Sequence, residues 1–139
     1  MTQPHGPRLE SIQPAGWAAP RGYSNAVAVS GATKLVFVAG QIAWDAQQQL
    51  VGAGDFAAQF EQALSNVVAC LRAAGAQPEA IARLTIYVTD KRAYLAATKE
   101  IGAAYKRLVG KHYPAMALVQ VAALLEDGAL VEIEATAAV

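Results

Sequence analysis

After residue 20, the hydrophobic and polar positions of this chain follow regular patterns that are typical of strands and helices. Residues 26–29, and residues 34–39 apart from Lys34, are apolar and flank the sequence Ser-Gly-Ala-Thr, a pattern that predicts a β-hairpin with a glycine-containing loop. The second apolar segment continues past Gly40 to Trp44. A glycine inside a strand is typical of a bulge or of a close backbone approach, so we expect one of these at Gly40.

Two amphipathic helices and three more strands are predicted after this segment. Apolar residues recur at spacings of three and four between Asp55, a suitable N-cap, and Gly75, and again between Asp90 and Gly110. Residues 83–89, 115–121 and 130–139 have the composition and alternation of strands. The predicted order is ββ(β)αβαββ. Residues 1–20 contain four prolines and no periodicity, so we expect an irregular leader there and a single domain over residues 21–139.

The last predicted strand separates apolar and acidic side chains onto two faces. Its odd positions are Val, Ile or Ala, whereas Glu132, Glu134 and Thr136 occupy the even positions. The preceding strand is apolar at both parities, with Leu118 and Gln120 on one face. Two explanations stay open at this point. Either the face that bears the carboxylates is an ordinary solvated face of the sheet, or the sheet has a second apolar face, bearing Leu118 and Gln120, that another subunit covers.

Composition narrows the class of protein. The chain has 139 residues, 55% of them hydrophobic, with Lys+Arg 11 against Asp+Glu 11. Such a balanced charge argues against nucleic-acid binding, which needs clustered basic residues. No apolar run approaches the roughly 20 residues that span a membrane, and none at the start suits a signal peptide, so we expect a cytoplasmic protein. The lone Cys70 and the distant His5 and His112 predict neither a disulfide nor a metal site.

Alanine is unusually abundant, with 32 residues, while aromatic residues make up only 7%. A small domain of this kind leaves much apolar surface, which other subunits would cover. A GC-rich genome, which raises the alanine content of its proteins, explains the same composition, and the sequence does not separate the two explanations.

Several short segments, in order and nearly without gaps over residues 20–139, resemble the RidA (YjgF) family. They begin with Gly-Tyr-Ser-Asn-Ala-Val at 22–27 and Val-Ala-Gly-Gln-Ile at 38–42, followed by Gln59 and Asn66. They continue with Ala-Ala-Gly-Ala at 73–76, Thr-Ile-Tyr-Val-Thr-Asp at 85–90, Tyr-Pro-Ala at 113–115 and Val-Glu-Ile-Glu-Ala at 131–135. Each segment alone is weakly specific, but together in this order they are specific.

The resemblance implies an α+β fold similar to chorismate mutase, with a mixed sheet that carries two helices on one face. It also implies a homotrimer in which the open sheet faces form a central barrel, with ligand clefts between subunits. Active members of the family hydrolyse 2-imino acids to 2-keto acids and ammonia without a metal or organic cofactor. That chemistry needs an anchor for the substrate carboxylate, a polarised C=N carbon and a positioned water.

Carried onto this chain, the resemblance assigns Glu132 to hold the water and Tyr23 to complete the pocket. Tyr23 stands in a Gly-Tyr-Ser context rather than the Gly-Pro-Tyr context of the family. The backbone around Gly40 and Gln41 is expected to line the cleft. Thr98 occupies a position where many relatives have asparagine, so we expect the hydrogen bond of that asparagine side chain to be altered in this chain.

The chain departs from the family at the anchor. The family's Pro-Ala-Arg-Ser motif reads Pro-Ala-Met-Ala here, so Met116 replaces the arginine, and Leu118 occupies the position of the family's reactive cysteine. Methionine offers no charge and no donor to a carboxylate. Arg21 is a candidate substitute cation, but the favoured interpretation is an ordinary surface arginine.

Two functional hypotheses follow from this departure. The first is a hydrolase acting on an imine, enamine or related C–N small molecule, with reduced or absent 2-imino acid deaminase activity. The second is a non-catalytic protein that binds a small ligand or a partner on the same trimeric fold. Some relatives have been described as ribonucleases, but the lack of a basic stripe argues against that activity here.

Overall fold

The computed structural model describes residues 6–139, so His5 lies outside the described residues. These residues form a four-stranded mixed sheet, a separate two-stranded sheet and three α-helices. In chain order the elements are β1 (Arg8–Ile12), β2 (Ala26–Ser30), β3 (Leu35–Gln41), α1 (Phe56–Ala73), a 3-10 turn (Pro78–Ala80), β4 (Ile81–Val88), α2 (Lys91–Ala96), α3 (Thr98–Leu108), β5 (Ala115–Gln120) and β6 (Val131–Ala138).

Helix α1 forms the centre of the core, and its predicted limits are confirmed. The Asp55 carboxylate accepts a hydrogen bond from the Ala58 N–H at 3.1 Å, which caps the first turn. Gly75 ends the helix with a φ of 81°, a left-handed conformation that favours glycine. The helix buries one face against the sheet, and each fully buried Leu or Phe contributes roughly 1.5–3 kcal/mol. The buried residues are Phe56, Gln59, Phe60, Ala63, Leu64, Val67, Val68 and Leu71.

Strand β6 lies inside the main sheet, whose strand order is β3-β6-β4-β5. It pairs antiparallel with β3 and β4, while β4 and β5 are parallel. The predicted alternation of β6 is confirmed, because Val131 and Ile133 are fully buried beneath the helices and Glu132 and Glu134 are half-buried on the other face. The helices therefore cover one face of the sheet and leave the acidic face open.

The side chains of β5 correct one prediction. Met116 and Leu118 pair with Leu84 and Ile86 of β4 and pack against the core beneath the helices. The face that bears Leu118 and Gln120 is therefore the helix-covered face and not the one available to another subunit. The β5 residues on the open face are Ala115, Ala117 and Val119, of which Val119 is exposed.

The predicted hairpin between β2 and β3 is wrong, and so is the irregular leader. Strand β2 pairs antiparallel with β1, which lies within residues 1–20, while β3 pairs with β6 in the other sheet. Gly31, with a φ of 71°, redirects the chain between the two sheets. Pairing β3 with β6 buries Val38 opposite Ala135, a gain in apolar burial that a local hairpin would not provide.

The predicted second helix is divided into α2 and α3 at Ala97. Asp90 caps α2 as expected, because its carboxylate accepts a hydrogen bond from the Arg92 N–H at 2.9 Å. Helix α3 ends at Leu108, two residues before Gly110. Ala97 leaves the helical region with a φ of −111° and a ψ of 16°. Among residues 6–139, no helix is long and apolar enough to cross a membrane.

The buried Gln59 side chain holds two loops against α1. Its Nε2 donates to the carbonyl oxygens of Gly52 at 3.2 Å and Gly128 at 3.0 Å, and its Oε1 accepts from the Leu130 N–H at 2.9 Å. Buried polar groups are costly when they lose their partners. Gln59 is therefore a polar link between the α1 entry and the start of β6.

We expect Gln59→Leu to lower the free energy of unfolding by about 2–4 kcal/mol, since three backbone groups lose their buried partner. Urea unfolding followed by circular dichroism measures this change. Gln47→Leu is the matched control, because Gln47 is exposed and its loss should change stability by less than about 0.5 kcal/mol. Equal effects of the two substitutions would contradict the role assigned to Gln59.

Candidate functional site

The Glu132 carboxylate lies directly against the backbone of Gly40. A Cβ added at Gly40 would lie 2.0 Å from Glu132 Oε1 and 2.8 Å from its Cδ, so only glycine leaves room for this side chain. The register between β3 and β6 shifts between Val38 and Gln41, which places a bulge here as the sequence predicts. Within residues 6–139, no hydrogen bond or ion pair engages the Glu132 carboxylate.

Glu134, the second acidic residue of β6, has a partner on the same face. The Tyr87 hydroxyl donates to Glu134 Oε1 at 2.9 Å. This hydrogen bond is the main reason that the pKa of Tyr87 is raised above its usual value. Arg83 and Glu134 line a shallow cavity of about 470 Å³ on the open face, together with Phe37 and Thr85. Within the described residues no protein donor engages the Glu132 carboxylate, whereas Glu134 accepts from Tyr87 and lines this cavity.

Met116 lies on the other face, in a cavity of about 310 Å³ between β5 and α3. Two of the predicted ligand-binding residues, Thr98 and Met116, line this cavity, and Gly22 borders it. The other walls are mainly apolar or aromatic. They are formed by Phe60, Ile86, Tyr94, Ile101, Gly102, Tyr105, Lys106 and Tyr113.

Tyr23 lines a neighbouring cavity of about 400 Å³, and Tyr113 lines both cavities. The rings of Tyr105 and Tyr113 stack at 5.9 Å with an interplanar angle of 7°. The Tyr105 hydroxyl donates to the His112 carbonyl oxygen at 2.5 Å. Burial raises the pKa of Tyr105, with a smaller contribution from Tyr113. The stacked pair therefore forms an aromatic wall of the Met116 cavity, and Tyr113 borders both cavities.

The His112 side chain links this aromatic wall to strand β4. Its Nε2 lies 2.6 Å from the Ile81 carbonyl oxygen. Because a carbonyl oxygen only accepts, Nε2 carries the proton and donates it. The segment before β5 is thus held at both its side chain and its backbone.

Two predicted residues lie away from these cavities. Gln41 donates through Nε2 to the Ala39 carbonyl oxygen at 3.0 Å and lines a different depression with Trp44 and Cys70. Arg21 is exposed and lines neither the Met116 cavity nor the Tyr23 cavity. Within one chain, Arg21 therefore does not take the place of the missing arginine.

Met116 and Glu132 also lie on opposite faces of the same sheet. Met116 pairs with Leu84, which is buried beneath the helices, whereas Glu132 pairs with Tyr87 three residues farther along β4. Side chains three apart in a strand point to opposite faces. One chain alone does not bring Glu132 and Met116 into a common cavity.

Lys106, the cation that borders the Met116 cavity, is not among the site residues predicted from the sequence. A signal for it is present in the sequence. Thr98, Gly102, Tyr105 and Lys106 recur at spacings of three and four or are adjacent, so they cover one side of α3. No group of three or more His, Cys, Asp or Glu side chains in the described part of the chain is arranged to hold a metal ion.

Comparisons with known proteins agree with the residue-level resemblance. A family model described as Endoribonuclease L-PSP matches residues 15–139. A RutC family protein of Synechocystis is 34% identical over 131 residues, which cover 93% of this chain and 95% of the relative. The human 2-iminobutanoate/2-iminopropanoate deaminase is 32% identical over 115 residues, which cover 83% of this chain and 78% of the relative.

A solved structure gives the same assignment for the fold. The Rid family protein YyfB of Yersinia pestis has a TM-score of 0.82 and 36% identity, covering 94% of this chain and 98% of that chain. The predicted α+β fold with a mixed sheet is therefore confirmed, with three helices where two were expected. With a family model over most of its length and relatives of more than 30% identity, the chain belongs to the RidA (YjgF) family.

Proposed function

We propose that this protein is a hydrolase that acts on an imine, an enamine or a related C–N small molecule. The observation that carries the proposal is the free Glu132 carboxylate seated against Gly40. A carboxylate with no protein partner accepts a hydrogen bond from water and can hold its oxygen toward an electrophilic carbon. In the hydrolysis of an imine, or of an enamine after its tautomerisation to the imine, water adds its oxygen to the C=N carbon and one proton to the nitrogen. The remaining hydroxyl proton then moves to the nitrogen as the C–N bond breaks, and a carbonyl compound and ammonia are released.

The proposal includes assembly of three subunits. The open face of the sheet exposes apolar residues on both edge strands, with Phe37 75% exposed on β3 and Val119 43% exposed on β5. Exposed apolar surface of this kind marks an interaction face. Copies whose open faces pack around a common axis would cover Phe37 and Val119. The proposed cleft lies between two such copies, where Glu132 of one subunit would approach Met116 of the next, which a single chain does not allow.

The same proposal limits the substrate. The side chain of Met116 has no donor for a carboxylate, and Thr98 and Gly22 near it carry no charge. Loss of a charge-assisted bidentate contact in a partly desolvated site costs about 2–5 kcal/mol, or roughly 1.5 to 3.5 decades in rate or affinity. We therefore expect weak or absent hydrolysis of short 2-imino acids by the native protein. A cytoplasmic location and independence from any cofactor belong to the same proposal.

The trimer is tested by light scattering coupled to size-exclusion chromatography. We expect a mass near three times 14.5 kDa at micromolar concentration. Phe37→Asp should reduce this mass toward that of a monomer, because an unpaired carboxylate would be buried between subunits. Leu125→Asp is the matched control, since Leu125 is fully exposed and lies outside the sheet. A monomeric native protein would overturn both the trimer and the intersubunit site.

The anchor is tested by restoring a guanidinium at position 116. Met116→Arg should increase ammonia release from imines generated in situ by an amino-acid oxidase, by roughly two decades over the native protein. Met116→Leu, which keeps the site apolar, should produce no increase. Thermal melts of each variant come first, because an unpaired guanidinium in an apolar cavity reduces stability.

Two further substitutions test Glu132 in the Met116→Arg background. Glu132→Ala should remove the gained activity, since it removes the carboxylate that holds the water. Gly40→Ala should also remove it while leaving the fold intact, because the new Cβ displaces only the end of the Glu132 side chain. A folded Met116→Arg trimer without activity would favour the second hypothesis, a non-catalytic ligand-binding protein. Full 2-imino acid activity in the native protein would instead contradict the proposed role of Met116.

A further inference from the structure

The Met116 cavity contains one cation on a mainly apolar and aromatic surface. Lys106 lies at its edge, and the remaining walls include Phe60, Ile86, Ile101 and the stacked Tyr105 and Tyr113. A volume of about 310 Å³ is near the lower end of the roughly 300–1,000 Å³ that small-molecule sites occupy. The cavity therefore suits one ring-sized or branched apolar group, with a single polar group at its rim.

Lys106 is available to a ligand. The ion pairs found within residues 6–139 are Arg8 with Glu10 and Arg107 with Glu61, and neither includes Lys106. Its neighbour Arg107 pairs across to Glu61 of α1, whereas Lys106, an exposed side chain, is among the residues that line the cavity. An ammonium beside apolar walls attracts an anionic group whose apolar part is buried at the same time.

The aromatic wall is fixed before any ligand arrives. Tyr105 is held by its hydrogen bond to the His112 carbonyl oxygen, and Tyr113 stacks on it. Tyr94 is held by an edge-on contact with Phe56, their ring centroids 6.3 Å apart at an interplanar angle of 83°. Fixed aromatic side chains bury a ligand's apolar surface with little loss of conformational entropy.

We infer that this cavity binds a small monoanion with an aromatic or branched apolar body, whose anionic group pairs with Lys106. The binding of such an anion stands on the cavity alone, whereas its extension to a substrate rests on the proposed function. In that extension the substrate is an imine or enamine whose anionic group lies at helix α3 rather than at strand β5. The anionic group and the C–N carbon are then separated by the apolar body.

Isothermal titration calorimetry with three probes tests the inference. The probes are 3-phenylpropanoate, its neutral analogue 3-phenylpropanamide, and acetate. We expect the native protein to bind the phenyl acid about three- to tenfold more tightly than the amide, because only the acid forms the ion pair. Acetate should bind more weakly than either, since it lacks the apolar body. Equal binding of acid and amide would overturn the inference.

Substitutions at position 106 assign the effect to one residue. Lys106→Met keeps an apolar stem and should reduce binding of the acid to the level of the amide, without changing binding of the amide. Lys106→Arg should restore most of the preference. Lys99→Met is the matched control, since Lys99 is exposed on the same helix and does not line the cavity. A loss of preference in Lys99→Met equal to that in Lys106→Met would contradict the assignment.

These experiments can contradict the anion site and the proposed hydrolase activity independently of each other. If 3-phenylpropanoate binds as expected while the Met116→Arg trimer shows no hydrolysis, the anion site stands and the proposed hydrolase is wrong. If the Met116→Arg trimer is active but Lys106→Met leaves the preference for the acid unchanged, the hydrolase stands and the Lys106 site is wrong.

Discussion

The register of β6 between its two neighbours is the constraint on which both faces of the sheet depend. Hydrogen bonds to β3 on one side and β4 on the other fix this strand. A slip of one residue would move Val131 and Ile133 into solvent and turn Glu132 and Glu134 toward α1. Burying unpaired carboxylates in that core would cost far more than the hydrogen bonds of a shifted ladder would return. The same register brings Glu132 against Gly40, so stability and the candidate chemistry have one origin.

The elements that the sequence predicts well are those whose signals are local. Helix α1 has an apolar stripe, a capping Asp55 and a terminating Gly75, and the structure has all three. The pairing of β2 was mispredicted, because a glycine-containing loop between two apolar runs is the local signal of a hairpin. Its true partner, β1, lies in a proline-rich segment and has no alternation to reveal it. The break at Ala97 also lacks a signal, since alanine is a strong helix former.

The candidate site can be predicted only in part from the sequence, because much of it depends on packing between distant elements. The glycine within β3 correctly predicted a close approach, because a strand glycine has few other uses. The parity of β5 was not readable, since Met116 and Leu118 are apolar, as are Ala117 and Val119, and either set could face the core. Lys106 was missed because a lysine near the end of a helix ordinarily favours the helix dipole and solvent. Only the packing of α3 over β5 reveals the cavity beside it.

The separation of Met116 and Glu132 by the sheet is the main structural reason for proposing an assembly. Met116 lies on the edge strand β5 beneath the helices, and Glu132 lies beside the opposite edge strand β3 on the open face. No rearrangement of side chains brings them together, because the sheet itself separates them. In the proposed trimer the open faces pack together, which covers Phe37, and the cleft between two copies brings Glu132 of one subunit toward Met116 of the next. The exposed apolar face and the separation of the two residues then have a single explanation in the proposed contact between subunits.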